Sequence, residues 1–123
     1  MSARSCLLLA ALLVGCTGCA AAPPQERTER ARGEILYVSW NCAPCHGEAR
    51  QGTEFGPPLT DLARHWEVGF LAAHLADPDA GRARDARLQA LTARFPAPMP
   101  GFAQPEQDRQ ALAAWLLARG TAR

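Results

Sequence analysis

Cys42-Ala43-Pro44-Cys45-His46 is the stretch on which the reading of this 123-residue chain turns. Cys-x-x-Cys-His is the spacing at which two thiols add across the vinyl groups of one porphyrin and the next residue, a histidine, ligates its iron. Residues three apart project from the same side of a helical turn, so both sulfurs reach one edge of a flat ring. His46 then projects beneath the metal. Two other chemistries use a Cys-x-x-Cys pair, thiol–disulfide exchange and zinc binding. The first needs a βαβ context, and no alternating β-branched run occurs in the chain. The second needs another ligand pair, but His65 and His74 are nine residues apart rather than the three to five of a finger. Covalent haem is the reading with which the rest of the chain agrees.

Upstream of this motif lies an address. Arg4 gives a positive start, Leu7 to Val14 a short apolar run, and Gly15-Cys16 a small-residue exit. That run is too short to span a bilayer and has the flanks of a secretory signal. Leu13-Val14-Gly15-Cys16 resembles the bacterial lipobox, which makes residues 1–15 a lipoprotein-type signal peptide and Cys16 the lipidated mature N-terminus. Cys16-Thr17-Gly18-Cys19 is a weaker second match, its first position being cysteine. The alternative is ordinary cleavage among Ala20 to Ala22, leaving a soluble periplasmic protein. The lipobox favours a periplasmic lipoprotein held at a membrane by its acyl chains. Residues 16–28 carry no apolar periodicity and read as a flexible tether, with residues 29–123 as one small domain. Export fits the motif, because bacteria join haem to such chains outside the cytoplasm. The same compartment oxidises thiols, so Cys42 and Cys45 must be kept reduced until haem arrives. Cys19 has no assigned role.

Charge narrows the partners. Removal of Arg4 with the signal leaves 12 basic against 12 acidic side chains, and the chain has no lysine. Nucleic acid calls for a clustered basic face, which is absent. Docking through a ring of lysines is likewise unavailable. Arg82, Arg84 and Arg87 are interleaved with Asp77, Asp79 and Asp85 and read as a solvated, salt-bridged face.

The periodicities are helical. Thr28 is a candidate N-cap for a first helix, with Glu29 in its first turn and Ile35, Leu36, Tyr37, Val38 and Trp40 as a broad buried side. Gly33 costs about 1 kcal/mol against alanine inside a helix, which close approach by another helix would explain. This helix should stop near Trp40 or Asn41, leaving Cys42–His46 as a separate tight turn, because a residue preceding proline disfavours the α region. Another helix is expected from about Trp66 to Ala76, with Trp66, Phe70, Leu71 and Leu75 inward and Pro78 ending it. Leu88, Leu91 and Phe95 form a weaker stripe. The last helix starts at Pro105, carries Glu106 and Asp108 at its positive end, and sets Leu112, Trp115, Leu116 and Arg119 on a stripe at spacings of three and four before Gly120.

Taken in order, these features resemble a bacterial monohaem class I c-type cytochrome over roughly residues 30 to 119. Gly33 and Tyr37 stand where that family has a glycine and an aromatic on its first helix, and would cross Leu112 and Trp115 on the last. Gly56-Pro57-Pro58-Leu59 resembles the family's Gly-Pro-x-Leu loop, which implies that the Pro57 carbonyl accepts a hydrogen bond from His46. Met99, within Phe95-Pro96-Ala97-Pro98-Met99-Pro100-Gly101-Phe102, resembles the family's distal segment. The resemblance therefore implies an all-α fold with crossing terminal helices around one haem c, held by Cys42 and Cys45 and ligated by His46 and Met99.

Residue chemistry bears on the sixth ligand independently. Met99 is the only methionine left once Met1 is removed, and the surrounding prolines deny the segment a helix. His74 is the rival ligand; His65, beside Arg64, reads as exposed. A thioether paired with histidine favours ferrous iron, and with both axial positions filled no site is open to substrate. The expectation is an electron carrier rather than an enzyme, with redox proteins or membrane respiratory complexes as partners. Competing readings are a haem sensor or peroxidase-like protein with a displaceable Met99, and a small subunit of a larger respiratory complex. Trp40, Trp66, Trp115, Phe55 and Phe102 are expected to pack around the porphyrin.

Overall fold

The computed structural model describes residues 23–119, with Arg119 described by its backbone alone. Six α-helices and one 3-10 turn follow one another, and no strand occurs among the described residues: α1 (Pro24–Ser39), α2 (Ala43–His46), a 3-10 turn (Leu62–Arg64), α3 (Val68–Ala76), α4 (Pro78–Arg84), α5 (Ala86–Arg94) and α6 (Glu106–Arg119). None of these helices is long and apolar enough to cross a membrane. The all-α expectation holds. Cys16, the signal residues, Gly120 and the side chain of Arg119 lie outside the described residues.

Helix α6 is the centre of the packing, crossed by α1 on one side and α3 on another. The crossing with α1 is made possible by Gly33. A Cβ there would overlap the Trp115 side chain and sit 3.1 Å from the Ala111 carbonyl oxygen, so only glycine lets the two helices approach this closely. One helical turn later, Tyr37 packs against Trp115 with ring centroids 5.4 Å apart. From α3, Leu71, Ala72 and Leu75 close over Leu112, Ala113 and Leu116 to complete the core. Leu112 is wholly excluded from solvent. Burying a leucine side chain contributes about 1.5–3 kcal/mol, so this small cluster supplies much of the stability available to so short a domain.

Helix boundaries differ from expectation where proline is concerned. The structure starts α1 at Pro24, four residues before Thr28, so the irregular tether does not extend through residues 24–28. Proline at the first helical position lacks only an N–H that would be unpaired there anyway. Thr28 is consequently inside the helix, where its hydroxyl donates to the Pro24 carbonyl at 3.0 Å rather than capping. The Cys42–His46 turn is separate from α1, as expected, but Ala43 is helical although it precedes a proline. Ala43 and Pro44 occupy the first two positions of a helical turn, where proline needs no donor. Pro78 both ends α3 and opens α4.

Two buried faces were narrower than their composition suggested. Ile35 and Val38 are 62% and 71% exposed, so α1 buries the stripe of Gly33 and Tyr37 rather than a broad side. On α3 the inward positions are 71, 72 and 75; Phe70 is 45% exposed and rests on half-buried Trp66. At 100° per residue, Phe70 falls on the flank of the stripe that 71 and 75 define. His65 is exposed, as expected.

Candidate functional site

The end of α1 delivers the Cys42–His46 turn. Asn41 adopts a left-handed conformation, φ 56°. Its N–H donates to the Val38 carbonyl at 3.0 Å, and the Cys42 N–H donates to the Tyr37 carbonyl at 3.2 Å. This paired arrangement is a Schellman stop, with asparagine where glycine is more usual. It reverses the chain so that Cys42 begins the next turn directly.

Every carbonyl of that turn apart from Pro44 accepts a hydrogen bond. His46 and Gly47 N–H groups donate to Cys42 and Ala43 at 3.0 and 2.7 Å, and the Gly52 N–H donates to His46 at 2.8 Å. The Thr53 hydroxyl donates to Cys45 at 2.7 Å. Tyr37 sends its buried hydroxyl to the Gly47 carbonyl at 2.7 Å. Burial, with a smaller push from Cys42 and a partial offset by Arg50, holds the Tyr37 phenol up to about 12, so it stays a donor at any physiological pH. A single tyrosine therefore ties the helix crossing to the motif.

His46 is buried, and its Nδ1 lies 2.8 Å from the Pro57 carbonyl oxygen. A carbonyl can only accept, so Nδ1 carries the proton and Nε2 keeps its lone pair. That is the tautomer a metal-ligating histidine requires. Burial pulls its pKa down and the Pro57 bond partly restores it, which favours the neutral, ligating ring. Cys42 and Cys45 are unpaired thiols. Burial, then the neighbouring Cys45, pushes the Cys42 thiol up to about 11.

Beside these groups lies a cleft of about 960 Å³, its solvent-open mouth included. Cys42, Cys45, His46, Pro57 and Met99 all line it. The helix α5 stripe of Leu88 and Leu91, with Phe95 just beyond it, faces the same space. Trp40 and Phe102 stack at 5.1 Å and 16° and form part of the wall, as does Phe55. A slot with two thiols, a correctly protonated histidine nitrogen and a thioether among apolar and aromatic walls suits a flat, largely apolar, thioether-linked metal macrocycle. The residues present thus fit haem c.

Not every aromatic serves there. Trp115 is in the helix crossing, with the Arg50 guanidinium 5.0 Å from its ring, and Trp66 packs with Phe70 and His74. Neither lines the cleft. Conversely, Arg82 and His74 do line it. Arg82 reads from sequence as part of a solvated ionic face, and it does pair with Asp79, as Arg87 pairs with Asp85. Its side chain is nevertheless only 24% exposed. Asp77 and Asp85 have structural work of their own, accepting the Ala80 and Arg87 backbone N–H groups, each at 2.9 Å, as N-caps of α4 and α5.

The protein-family model described as Cytochrome c matches residues 30–119. No curated protein and no solved structure matches the chain.

Proposed function

The chain belongs to the cytochrome c family, and from that premise we propose that it carries single electrons in the bacterial periplasm through one six-coordinate haem c. Haem-based electron transfer and covalent haem c come with the family; the assignments of individual residues are ours. Cys42 and Cys45 would form the two thioether links, and His46 Nε2 and the Met99 sulfur would hold the iron. The observation that carries this is the convergence of those side chains on one apolar cleft, with His46 already held in its ligating tautomer by Pro57.

Bound there, haem c supplies a one-electron Fe(II)/Fe(III) couple. The residues around it have simpler tasks. Pro57 holds the imidazole plane and its proton, and the hydrogen-bonded turn keeps His46 from swinging as charge changes. Met99, on a segment stiffened by Pro96, Pro98 and Pro100, needs little ordering to stay in place. Trp40, Phe102, Leu88 and Leu91 exclude water from the cleft. Fixed ligands and dry walls keep reorganisation small, which suits electron passage rather than substrate turnover.

The localisation part of the proposal rests on sequence: residues 1–15 as signal peptide, Cys16 as lipidated N-terminus anchoring residues 29–123, and redox proteins or respiratory complexes as partners. Mass spectrometry of membrane-associated protein should find acyl chains on Cys16; a mature start after Ala20 contradicts the anchor.

Carbon monoxide tests the carrier reading. Reduced holoprotein at neutral pH should fail to bind it, because Met99 occupies the site. Rapid stoichiometric binding would instead indicate a sensor or peroxidase-like protein with a displaceable ligand.

A further inference from the structure

We propose that His74 and Arg82 form the docking corner for a haem propionate, at the junction of α3 and α4. This rests on the haem reading above and asks where the carboxylates of the macrocycle go. A cleft that accepts a flat apolar ring must also offer polar partners to its acidic edge, since a buried unpaired carboxylate is costly. Apart from the Cys42–His46 motif, the side chains lining the cleft that can hydrogen-bond through N or O are Trp40, Asn41, His74, Arg82 and Thr92. Trp40, stacked on Phe102, and Asn41 directly precede Cys42, at the thioether end. Thr92 gives its hydroxyl proton to the Leu88 carbonyl at 3.3 Å. His74 and Arg82 remain, and Arg82 is the one charged residue among the lining side chains.

The setting of His74 fixes what it can offer. Its ring packs on Trp66 at 5.0 Å and against Gly81, where any Cβ would collide with Nδ1. Nδ1 is buried there without a hydrogen-bond partner. A proton on it would be a stranded donor, so we assign the proton of the neutral ring to Nε2, which gives this cleft-lining residue one N–H to offer. Burial first, then the Arg82 charge, lower the His74 pKa, against the opposing pull of Asp85 and Asp77. An imidazole kept neutral yet placed beside a guanidinium is a poor pair for that cation. The two together make a good one for a carboxylate, with one N–H from the ring and the Arg82 donors that Asp79 does not use.

The test uses holoprotein carrying His74→Leu, His74→Gln, Arg82→Gln or, as a control for charge on the same helix, exposed Arg84→Gln. Resonance Raman propionate-bending bands should move in His74→Leu and Arg82→Gln, move less in His74→Gln, which keeps a donor, and stay in place in Arg84→Gln. The midpoint potential should fall in Arg82→Gln relative to Arg84→Gln, because a positive charge near the iron disfavours the ferric state. Unsubstituted ferrous protein gives a second readout that does not depend on variants folding: nuclear Overhauser contacts between the His74 ring and propionate methylenes. Unmoved bands with haem attached and the sulfur–iron absorption intact would overturn the corner while leaving the haem reading standing. Absence of that absorption from the unsubstituted ferric protein, with a nitrogen-ligated spectrum that His74→Leu abolishes, would overturn it too, by making His74 an iron ligand. Wild-type protein without covalent haem would instead defeat the reading on which the corner rests.

Discussion

Gly33 and Tyr37 lie one turn apart on α1 and act on the same partner, Trp115, in opposite ways. Gly33 permits contact by having no side chain; Tyr37 supplies one and extends past it to Gly47. Gly33→Ala should destabilise the holoprotein by about 1–3 kcal/mol, the usual cost of forcing a methyl into a packed contact. Gly69→Ala provides the contrast, since nothing lies within 4 Å of its Cβ position and the substitution should stabilise by about 0.5 kcal/mol through helix propensity. Guanidinium unfolding midpoints of the two variants moving in the same direction would contradict this account. Tyr37→Phe should cost about 1 kcal/mol, because Gly47 keeps only the Arg50 N–H as donor. Gly33, Tyr37, His46 and Pro57 were legible in the sequence because each sits at a fixed offset from a motif. His74 and Arg82 were legible only as a spare histidine and a surface charge. Their shared role depends on how α4 folds back on α3, which no local pattern encodes.

At the scale of elements, two aspartates punctuate the segment between the core and Met99. Asp77 ends α3 and caps α4; Asp85 ends α4 and caps α5. Asp77→Ala and Asp85→Ala should each cost about 1 kcal/mol, the typical value of an N-cap. Loss at Asp77 should also loosen Gly81 and hence the His74 ring packed on it, so the propionate bands should broaden in that variant and not in Asp85→Ala. Equal Raman spectra for both would separate capping from the corner. The sequence marks these helices weakly because each is short and two begin straight after an aspartate already accounted for by charge pattern. Proline explains the starts that pattern alone does not mark: Pro24, Pro44 and Pro78 each stand in a first turn, where a missing N–H is harmless, and Pro78 follows the end of α3 as expected while also opening α4. The long elements, α1 and α6, were readable from apolar spacing, and their crossing from Gly33.

The molecule as a whole has a small core and a large cleft. The buried cluster joins α1, α3 and α6, while α2, α5 and the segment carrying Met99 meet around the cleft. A domain of this size has little stability to spare, so the macrocycle that fills the cleft should be the larger part of what holds these latter elements together. Cys42→Ala/Cys45→Ala protein, which cannot attach haem, should therefore lose cooperative melting and much of its helical circular dichroism. Retention of both would mean that α1, α3 and α6 organise the fold alone. The central claim, covalent haem at Cys42 and Cys45, is met most directly by the intact mass of the denatured protein after expression with its export signal in a host able to mature such proteins. The account predicts the mature chain plus one haem, and the haem mass lost in the double alanine variant; a chain mass without haem would contradict it.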